Sequence, residues 1–143
     1  MSQKKWSTEA LDSFDSVVAS IPGFRLREGQ RKMAAQIAQT LSNAQLGKVE
    51  EGAADPQRAI AVIQAGTGVG KSLAYAAPAI AMALARGTRV LISTATVALQ
   101  EQLVNKDLPA LAQQLPTPFK FALAKGRGRF VCKLKLERLA ISG

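Results

Sequence analysis

One ten-residue segment limits the structures that this chain can adopt more than any other. The segment IQAGTGVGKS, residues 63–72, places three glycines, a lysine and a serine between a short apolar run and a long alanine-rich stretch. Alternate glycines let the backbone curl so that successive N–H groups point inward, and the start of a following helix directs its free N–H groups to the same place. The segment therefore predicts a phosphate-binding loop between a β-strand and an α-helix.

Two residues of this loop are predicted to act directly on a bound nucleotide and its metal ion. Lys71 reaches the β- and γ-phosphates of a nucleotide as a point charge, and the Ser72 hydroxyl is placed to ligate Mg²⁺, so these two are the candidate catalytic residues. The general pattern G-x-x-x-x-G-K-[ST] begins with glycine, whereas this chain has Ala65, whose methyl group is the mildest departure. The predicted nucleotide-binding residues of the loop are Ala65, Gly66, Thr67, Gly68, Val69, Gly70, Lys71 and Ser72.

The order of segments around the loop predicts an α/β fold. A helix capped by Ser7 or Thr8 is expected to run to about Ser20, and a second helix from about Glu28 to Leu46, with Gly47 as its stop. Residues 47–57 read as a surface loop. Strands are predicted at 58–65, 88–95 and 119–124, and helices at 70–86 (kinked or divided at Pro78), 97–104, 107–115 and 134–141. This alternation is typical of a parallel sheet with right-handed crossovers.

Composition excludes several kinds of chemistry. The chain of 143 residues has no histidine and one cysteine, so it cannot build a Ser-His-Asp or Cys-His catalytic site, a His-ligated zinc site or an internal disulfide. The net charge of +9 favours a polyanionic partner, and the basic residues are concentrated after residue 119. Without a signal segment or a stretch long enough to span a bilayer, we expect a cytoplasmic protein with no membrane contact.

Three further segments suggest a family. Alanine followed by GTGVGKS resembles motif I of superfamily 2 helicases, and FRLREGQRKM at 24–33 resembles their Q motif. That resemblance implies that Gln30 reads the adenine base of ATP and that Arg27 supports its pocket. STATVALQEQL at 93–103 resembles motif Ia, which grips the backbone of single-stranded nucleic acid. The residues to which it assigns this contact are Ser93, Thr94, Thr96 and Gln100.

The segment KGRGRFVC at 125–132 resembles the entrance to the iron–sulfur region of XPD-like and DinG-type helicases, and the similarity to DinG-type proteins extends from about residue 24 to 135. It implies nucleic-acid contacts by Arg127 and Arg129, and makes Cys132 the first of four thiolates of a [4Fe-4S] cluster. Since the chain has one cysteine, such a cluster is expected only in a full-length parent protein.

The resemblance implies a partial RecA-like sheet with flanking helices, which is a truncated first motor domain at 24–124. A helical segment precedes it at 1–23, and the start of the iron–sulfur region follows at 125–143. The parent is expected to be a DNA helicase that uses ATP and Mg²⁺ on single-stranded DNA, and in one sub-branch it acts with a CRISPR guide complex. None of the ten acidic residues follows an apolar strand, so the chain alone is expected to hydrolyse ATP poorly. A phosphate-loop small-molecule kinase and a non-catalytic basic module that binds nucleic acid are the alternatives.

Overall fold

Helices make up the regular structure of the residues that the computed structural model describes, namely 3–23, 25–44, 57–66 and 68–141. The six α-helices are α1 (Gln3–Ser20), α2 (Glu28–Asn43), α3 (Lys71–Arg86), α4 (Val97–Gln102), α5 (Leu108–Gln114) and α6 (Lys133–Ile141). A π-helical turn at Leu103–Asp107 joins α4 to α5, and a 3-10 turn occupies Arg127–Arg129.

The core lies where α1, α2 and α3 pack against one another. Apolar residues of α1 recur at helical spacing, and Phe14 and Val17 are almost fully buried between the other two helices and α5. The facing side of α3 is rich in alanine, and Ala74 and Ala77 are fully buried. These short side chains let the helices approach closely, and the helix that follows the glycine loop is thereby fixed in the middle of the core.

Arg86 joins all three helices of the core at one end. Its guanidinium lies 4.6 Å from the centre of the Trp6 ring on α1, within the range of a cation–π contact. The same group donates hydrogen bonds to the carbonyls of Leu41 (3.0 Å) and Ala44 (2.7 Å) at the end of α2. The last carbonyl groups of α2 are therefore satisfied by a charged donor from α3.

A second arginine joins α1 to the start of α2. Arg31 donates hydrogen bonds to both carboxylate oxygens of Asp15, at 3.0 Å from Nε and 2.8 Å from Nη2. These bonds and the charge of Asp15 raise the pKa of Arg31. Because the pair is exposed, its contribution to stability is small, and its effect is to fix the orientation of α2.

The predicted ends of the first two helices need correction. Ser7 and Thr8 do not cap α1, because the helix already begins at Gln3 and both hydroxyls donate to the carbonyl of Lys4 in the preceding turn. Helix α2 ends at Asn43 and not near Leu46, because Ala44 takes an extended conformation (φ −71°, ψ 128°). Gly47, the predicted stop, lies outside the described residues, as does most of the predicted loop 47–57.

Pro78 does not divide α3, which is continuous from Lys71 to Arg86. The side chain of Pro78 is fully buried, and this burial offsets the hydrogen bond that a proline cannot donate. The helix ends as predicted at Gly87, whose φ of 62° lies in the left-handed region. Hydrogen bonds from the N–H groups of Gly87 and Thr88 then close the last turn.

The three predicted strands are extended segments that do not pair. Residues 57–66, 88–94 and 118–126 contain no helix, and within the described part of the chain no backbone hydrogen bond joins any two of these segments. A β-strand needs a neighbour at about 4.8 Å to complete its ladder, and among the described residues these segments form no such ladder. The helical layer of the predicted fold is thus confirmed, while its parallel sheet is not.

The C-terminal helices follow the prediction more closely. The two helices predicted at 97–104 and 107–115 are present as α4 and α5, but the π-helical turn makes them one continuous helical segment. The helix predicted at 134–141 is α6, and its side chains are exposed. No described helix is both long and apolar enough to cross a membrane. The predicted domain boundaries at 23 and 124 stay predictions, although α1 shares its core with α2 and α3.

Replacing Phe14 with alanine should lower the free energy of unfolding by about 3–5 kcal/mol, because the ring is fully buried and its removal leaves a cavity among the three helices. Phe130 is 63% exposed, and Phe130→Ala should change stability by less than about 0.5 kcal/mol. Urea unfolding followed by circular dichroism measures both. Equal effects of the two substitutions would contradict the placement of the core.

Candidate nucleotide-binding site

Two glycines set the shape of the predicted phosphate loop. Gly68 (φ 79°) and Gly70 (φ 82°) both lie in the left-handed region, which side chains other than glycine rarely adopt. Gly70 immediately precedes α3, and Lys71 is the first residue of that helix. The N–H groups of the first turn of α3 therefore face the loop, as an anion-binding site requires. Thr67 lies outside the described residues.

The structure places Gln30 directly behind this loop. Its side chain is fully buried, and its Nε2 donates a hydrogen bond of 3.0 Å to the carbonyl of Gly70, forty positions further along the chain. A Cβ at Gly70 would collide with the same Nε2. The Oε1 atom of Gln30 is buried and has no hydrogen-bond partner among the residues that the structure describes. The glutamine and the glycine are therefore complementary in both shape and hydrogen bonding.

Arg27 also approaches the loop. Its Nη1 would lie 3.8 Å from a Cβ built on Gly68, and its carbonyl accepts a hydrogen bond of 2.9 Å from the N–H of Gln30. Arg27 precedes α2 in an extended conformation and is exposed. The first turn of α2 thus brings both residues of the predicted Q motif against the predicted phosphate loop.

Lys71 is held by the loop itself. Its Nζ donates hydrogen bonds to the carbonyls of Ala65 (2.8 Å) and Gly66 (3.0 Å), and the side chain is exposed. Both partners are neutral carbonyl oxygens. A phosphate oxygen is charged and is therefore a stronger acceptor, so it can take their place. The cation therefore already lies across the loop where a bound phosphate would meet it.

Tyr75 lies one turn after Ser72 on α3, and no functional role was predicted for it. Burial raises the pKa of Tyr75 above its ordinary value, the charge of Asp107 adds to this, and a hydrogen bond with Ser72 acts in the opposite direction. The hydroxyl predicted to ligate Mg²⁺ is thus close to a phenol. The three-residue spacing on a helix was the signal that could have indicated this neighbour.

A cleft of about 600 Å³ opens beside the loop. Lys71, Ser72 and Tyr75 line one part of it, and Ser93 and Thr94 line another. Its remaining walls are mainly apolar side chains of α2, α3 and the extended segments. The structure therefore brings the predicted catalytic residues and two of the predicted nucleic-acid contacts to the border of one cleft.

The remaining predicted nucleic-acid contacts form a second group. Thr96 caps α4, because its hydroxyl accepts a hydrogen bond of 3.3 Å from the N–H of Leu99. Gln100 accepts one of 2.6 Å from Nη1 of Arg129. Arg127 belongs to the same 3-10 turn as Arg129 and is exposed. The basic turn is therefore attached to α4, although the two are almost thirty residues apart in the sequence.

Cys132 does not fit an iron–sulfur site within this chain. The cysteine is exposed, and the described residues contain no group of three or more histidine, cysteine or acidic side chains that could hold a metal ion. Since four thiolates hold such a cluster and the chain has one, the other ligands would have to come from a different polypeptide segment.

Comparison with known proteins decides the family. The sequence profile of the DEAD/DEAH box helicases matches residues 30–124, a range that includes Gln30, the glycine loop and Gln100. The chain belongs to the DEAD/DEAH box helicase family. Membership in this family implies a RecA-like fold, of which the described residues show the helices around the glycine loop.

Family members that are similar to this chain include DinG helicases. The ATP-dependent DNA helicase DinG of Photobacterium profundum is 44% identical over 124 residues, covering 87% of this chain. The ATP-dependent helicase DinG of Mycobacterium tuberculosis is 44% identical over 84% of the chain, and the ATP-dependent DNA helicase DinG of Escherichia coli is 43% identical over 89%. The DinG-type resemblance is thereby confirmed. The chain matches only 16–17% of the length of these relatives.

Gly70→Ala should destabilise the chain by about 1–3 kcal/mol, because alanine is strained at a φ of 82° and its Cβ meets Gln30. In a Gln30→Ala background the same substitution should cost less, by at least about 0.5 kcal/mol, since the collision is gone and only the backbone strain is left. Chemical denaturation of the four proteins in this cycle measures the coupling. Gly126→Ala, at an open position with φ −60°, is the matched control, and strictly additive effects would contradict the contact.

Tyr75 should ionise above pH 10.0, its ordinary pKa, and return to that value on unfolding. Because the folded-state pKa is raised, the contribution of Tyr75 to stability is complete below pH 10.0 and is lost as pH rises, since the unfolded chain ionises first. Ser72→Ala should raise the pKa further, and Asp107→Asn should lower it. As the only tyrosine in the chain, Tyr75 can be titrated directly by ultraviolet absorbance, and an unshifted titration would contradict its burial.

Proposed function

We propose that this chain is the N-terminal, ATP-binding part of a DinG-like ATP-dependent DNA helicase. The observation that carries the proposal is the buried contact between Gln30 and Gly70, which joins a Q-motif residue to the phosphate loop. Family membership and the names of the DinG relatives support the same conclusion. The proposed cofactors are ATP and Mg²⁺, and the proposed substrate is single-stranded DNA.

The proposed nucleotide site uses the loop and the first turn of α3. The N–H groups of Gly68, Gly70 and the residues that follow them surround the phosphates, and Lys71 leaves its two carbonyl partners to neutralise the β- and γ-phosphate oxygens. The Ser72 hydroxyl would hold Mg²⁺, which would supply neutralisation of phosphate charge. The positive φ angles of the two glycines and the exposed cation of Lys71 fit this group.

Gln30 has one buried polar atom without a partner among the described residues. Its Nε2 is already used by Gly70, whereas its Oε1 would accept a hydrogen bond from the exocyclic amino group of an adenine base that reached it. Reading N7 as well would require Nε2 to exchange the Gly70 carbonyl for the base. Arg27, exposed beside the loop, borders the proposed adenine pocket.

The proposed DNA contacts lie around the cleft and the basic turn. The hydroxyls of Ser93 and Thr94 face the phosphate backbone at the cleft, together with Thr96 at the start of α4. Gln100 orients Arg129 through their hydrogen bond, and Arg127 adds a second positive charge. The net charge of +9 supplies the general attraction to a polyanion.

Hydrolysis and unwinding belong to the longer protein in this proposal. The chain offers no acidic residue after an apolar strand to hold Mg²⁺ and position water, so it binds ATP and turns it over slowly. Cys132 is proposed to join three thiolates of the longer protein in an iron–sulfur cluster. A cytoplasmic location, a role in DNA repair and, for one sub-branch, action with a CRISPR guide complex complete the proposal.

Lys71→Ala should weaken binding of Mg-ATP by roughly tenfold to a hundredfold, because charged hydrogen bonds of this kind contribute about 1.5–3 kcal/mol. Lys32→Ala is the matched control, since Lys32 pairs with Glu28 on the exposed face of α2. Calorimetry measures nucleotide affinity, and fluorescence anisotropy measures affinity for single-stranded DNA.

Arg127→Ala and Arg129→Ala should each weaken DNA binding and reduce its salt dependence by about one ion.

Three outcomes would contradict the proposal. Nucleotide binding without any DNA affinity would favour a small-molecule kinase. DNA binding that is the same for the wild type and Lys71→Ala, with no measurable ATP affinity in either, would favour a passive basic module. Equal losses in Lys71→Ala and Lys32→Ala would show that the phosphate loop is not the nucleotide site.

A further inference from the structure

The first turn of α2, which carries Gln30 to the loop, depends on a contact from outside its own helix. Within the described part of the chain, the side chain of Arg27 makes no capping hydrogen bond to this turn. Among residues 28–32 only Gln30 is buried, and the first fully buried apolar residue of α2 is Ala34, one turn further along. The first turn of a helix that lacks a cap frays readily, so another contact is needed to hold Gln30 in place.

That contact is the ion pair between Arg31 and Asp15 of α1. Nε of Arg31 donates to the two carboxylate oxygens at 3.0 and 3.2 Å, and Nη2 donates to one of them at 2.8 Å. Paired hydrogen bonds of this kind fix the relative orientation of the two side chains as well as their distance. Asp15 directly follows Phe14, whose ring is fully buried, so the carboxylate is attached to a well-packed part of α1.

The ion pair is connected to the glycine loop through consecutive residues. Gln30 and Arg31 are neighbours in the sequence, and their N–H groups both donate to the Arg27 carbonyl, at 2.9 and 3.1 Å. Nε2 of Gln30 then donates to the Gly70 carbonyl at 3.0 Å. A series of contacts therefore runs from Asp15 on α1, through the first turn of α2, to the loop.

We propose that Asp15 is a positioning residue that sets the preference of the nucleotide site for adenine, an inference that rests on the proposed function. Its ion pair with Arg31 keeps Gln30 where Nε2 donates to the Gly70 carbonyl. In that position Oε1 of Gln30, which has no partner among the described residues, is available to the exocyclic amino group of adenine. When the ion pair is lost, the first turn of α2 shifts, and the displaced amide no longer distinguishes an amino group from a carbonyl on the base.

The phosphate part of the site is held by other contacts. Nζ of Lys71 donates to two carbonyls of the loop itself, and the proposed anion-binding N–H groups belong to the loop and to the first turn of α3. Loss of the ion pair should therefore reduce selectivity for the base and leave the affinity for the phosphates in place.

The test compares the affinities of this chain for Mg-ATP and Mg-ITP by calorimetry. Inosine has a carbonyl oxygen where adenine has the exocyclic amino group, so Oε1 of Gln30 would face a second acceptor. The wild type should prefer ATP by about tenfold or more, because a buried acceptor left unsatisfied is costly. Asp15→Ala should reduce this preference by about threefold or more through weaker ATP binding, while affinities for Mg-ITP and inorganic tripolyphosphate change by less than about twofold.

Matched variants separate positioning from a general effect of charge. Asp12 is an exposed carboxylate on the same helix, and Asp12→Ala should leave the ATP preference within about twofold of the wild type. Arg31→Ala should reproduce the loss seen in Asp15→Ala, and the double variant should be no worse than either single variant, since all three remove the same ion pair. In a Gln30→Ala background, Asp15→Ala should not change the preference further. Asp15→Asn, which keeps the shape of the side chain, replaces Asp15→Ala if that variant does not fold.

An ATP preference that survives in both Asp15→Ala and Arg31→Ala would overturn the inference and leave the proposed function standing. Equal losses of ATP and ITP affinity in Asp15→Ala, or the same loss of preference in Asp12→Ala, would overturn it in the same way. A wild type that binds ATP and ITP equally would overturn the adenine contact of Gln30 together with the inference. A wild type that binds neither nucleotide would overturn the proposed function as well.

Discussion

The hydrogen bond from Gln30 to the Gly70 carbonyl is the contact on which the candidate site depends. It is buried, it connects α2 to the residue that immediately precedes α3, and it requires a glycine because a Cβ there would strike the glutamine amide. Gly70 must also adopt a left-handed conformation to turn the chain into α3. One position thus satisfies a turn, a close contact and a hydrogen bond, so its substitution affects the loop and the helix packing together.

The helical core holds the two partners of that contact in place. The alanine-rich face of α3 lets α1 and α2 approach closely, and Phe14 fills the space between them. Arg86 fixes one end of α2 to α3, while Arg31 fixes its other end to α1. The first turn of α2, which brings Gln30 and Arg27 to the loop, is therefore positioned by the whole three-helix core.

Much of the candidate site could be predicted from the sequence because local spacing carries its chemistry. The alternating glycines, Lys71 and Ser72 are consecutive, and the structure shows the positive φ angles that such a loop requires. The raised pKa of Tyr75 was not predicted, because it results from burial and is modified by a neighbour one helical turn away. The sheet was predicted from apolar runs, but a strand forms only where another strand pairs with it. In the described residues, the extended segment at 88–94 makes no backbone hydrogen bond to another extended segment.

The sequence by itself determined the turn of the glycine loop, most of the helices and the family, because each depends on residues close together in the chain. Only the tertiary structure decided that Gln30 lies against Gly70, that Arg129 bonds to Gln100, and that Lys71 shares a cleft with Thr94. The physical reason is that these pairs are separated by more than twenty residues, and their meeting depends on how the helices pack. Local spacing fixes the conformation of a turn, whereas the packing of a core fixes which turns meet.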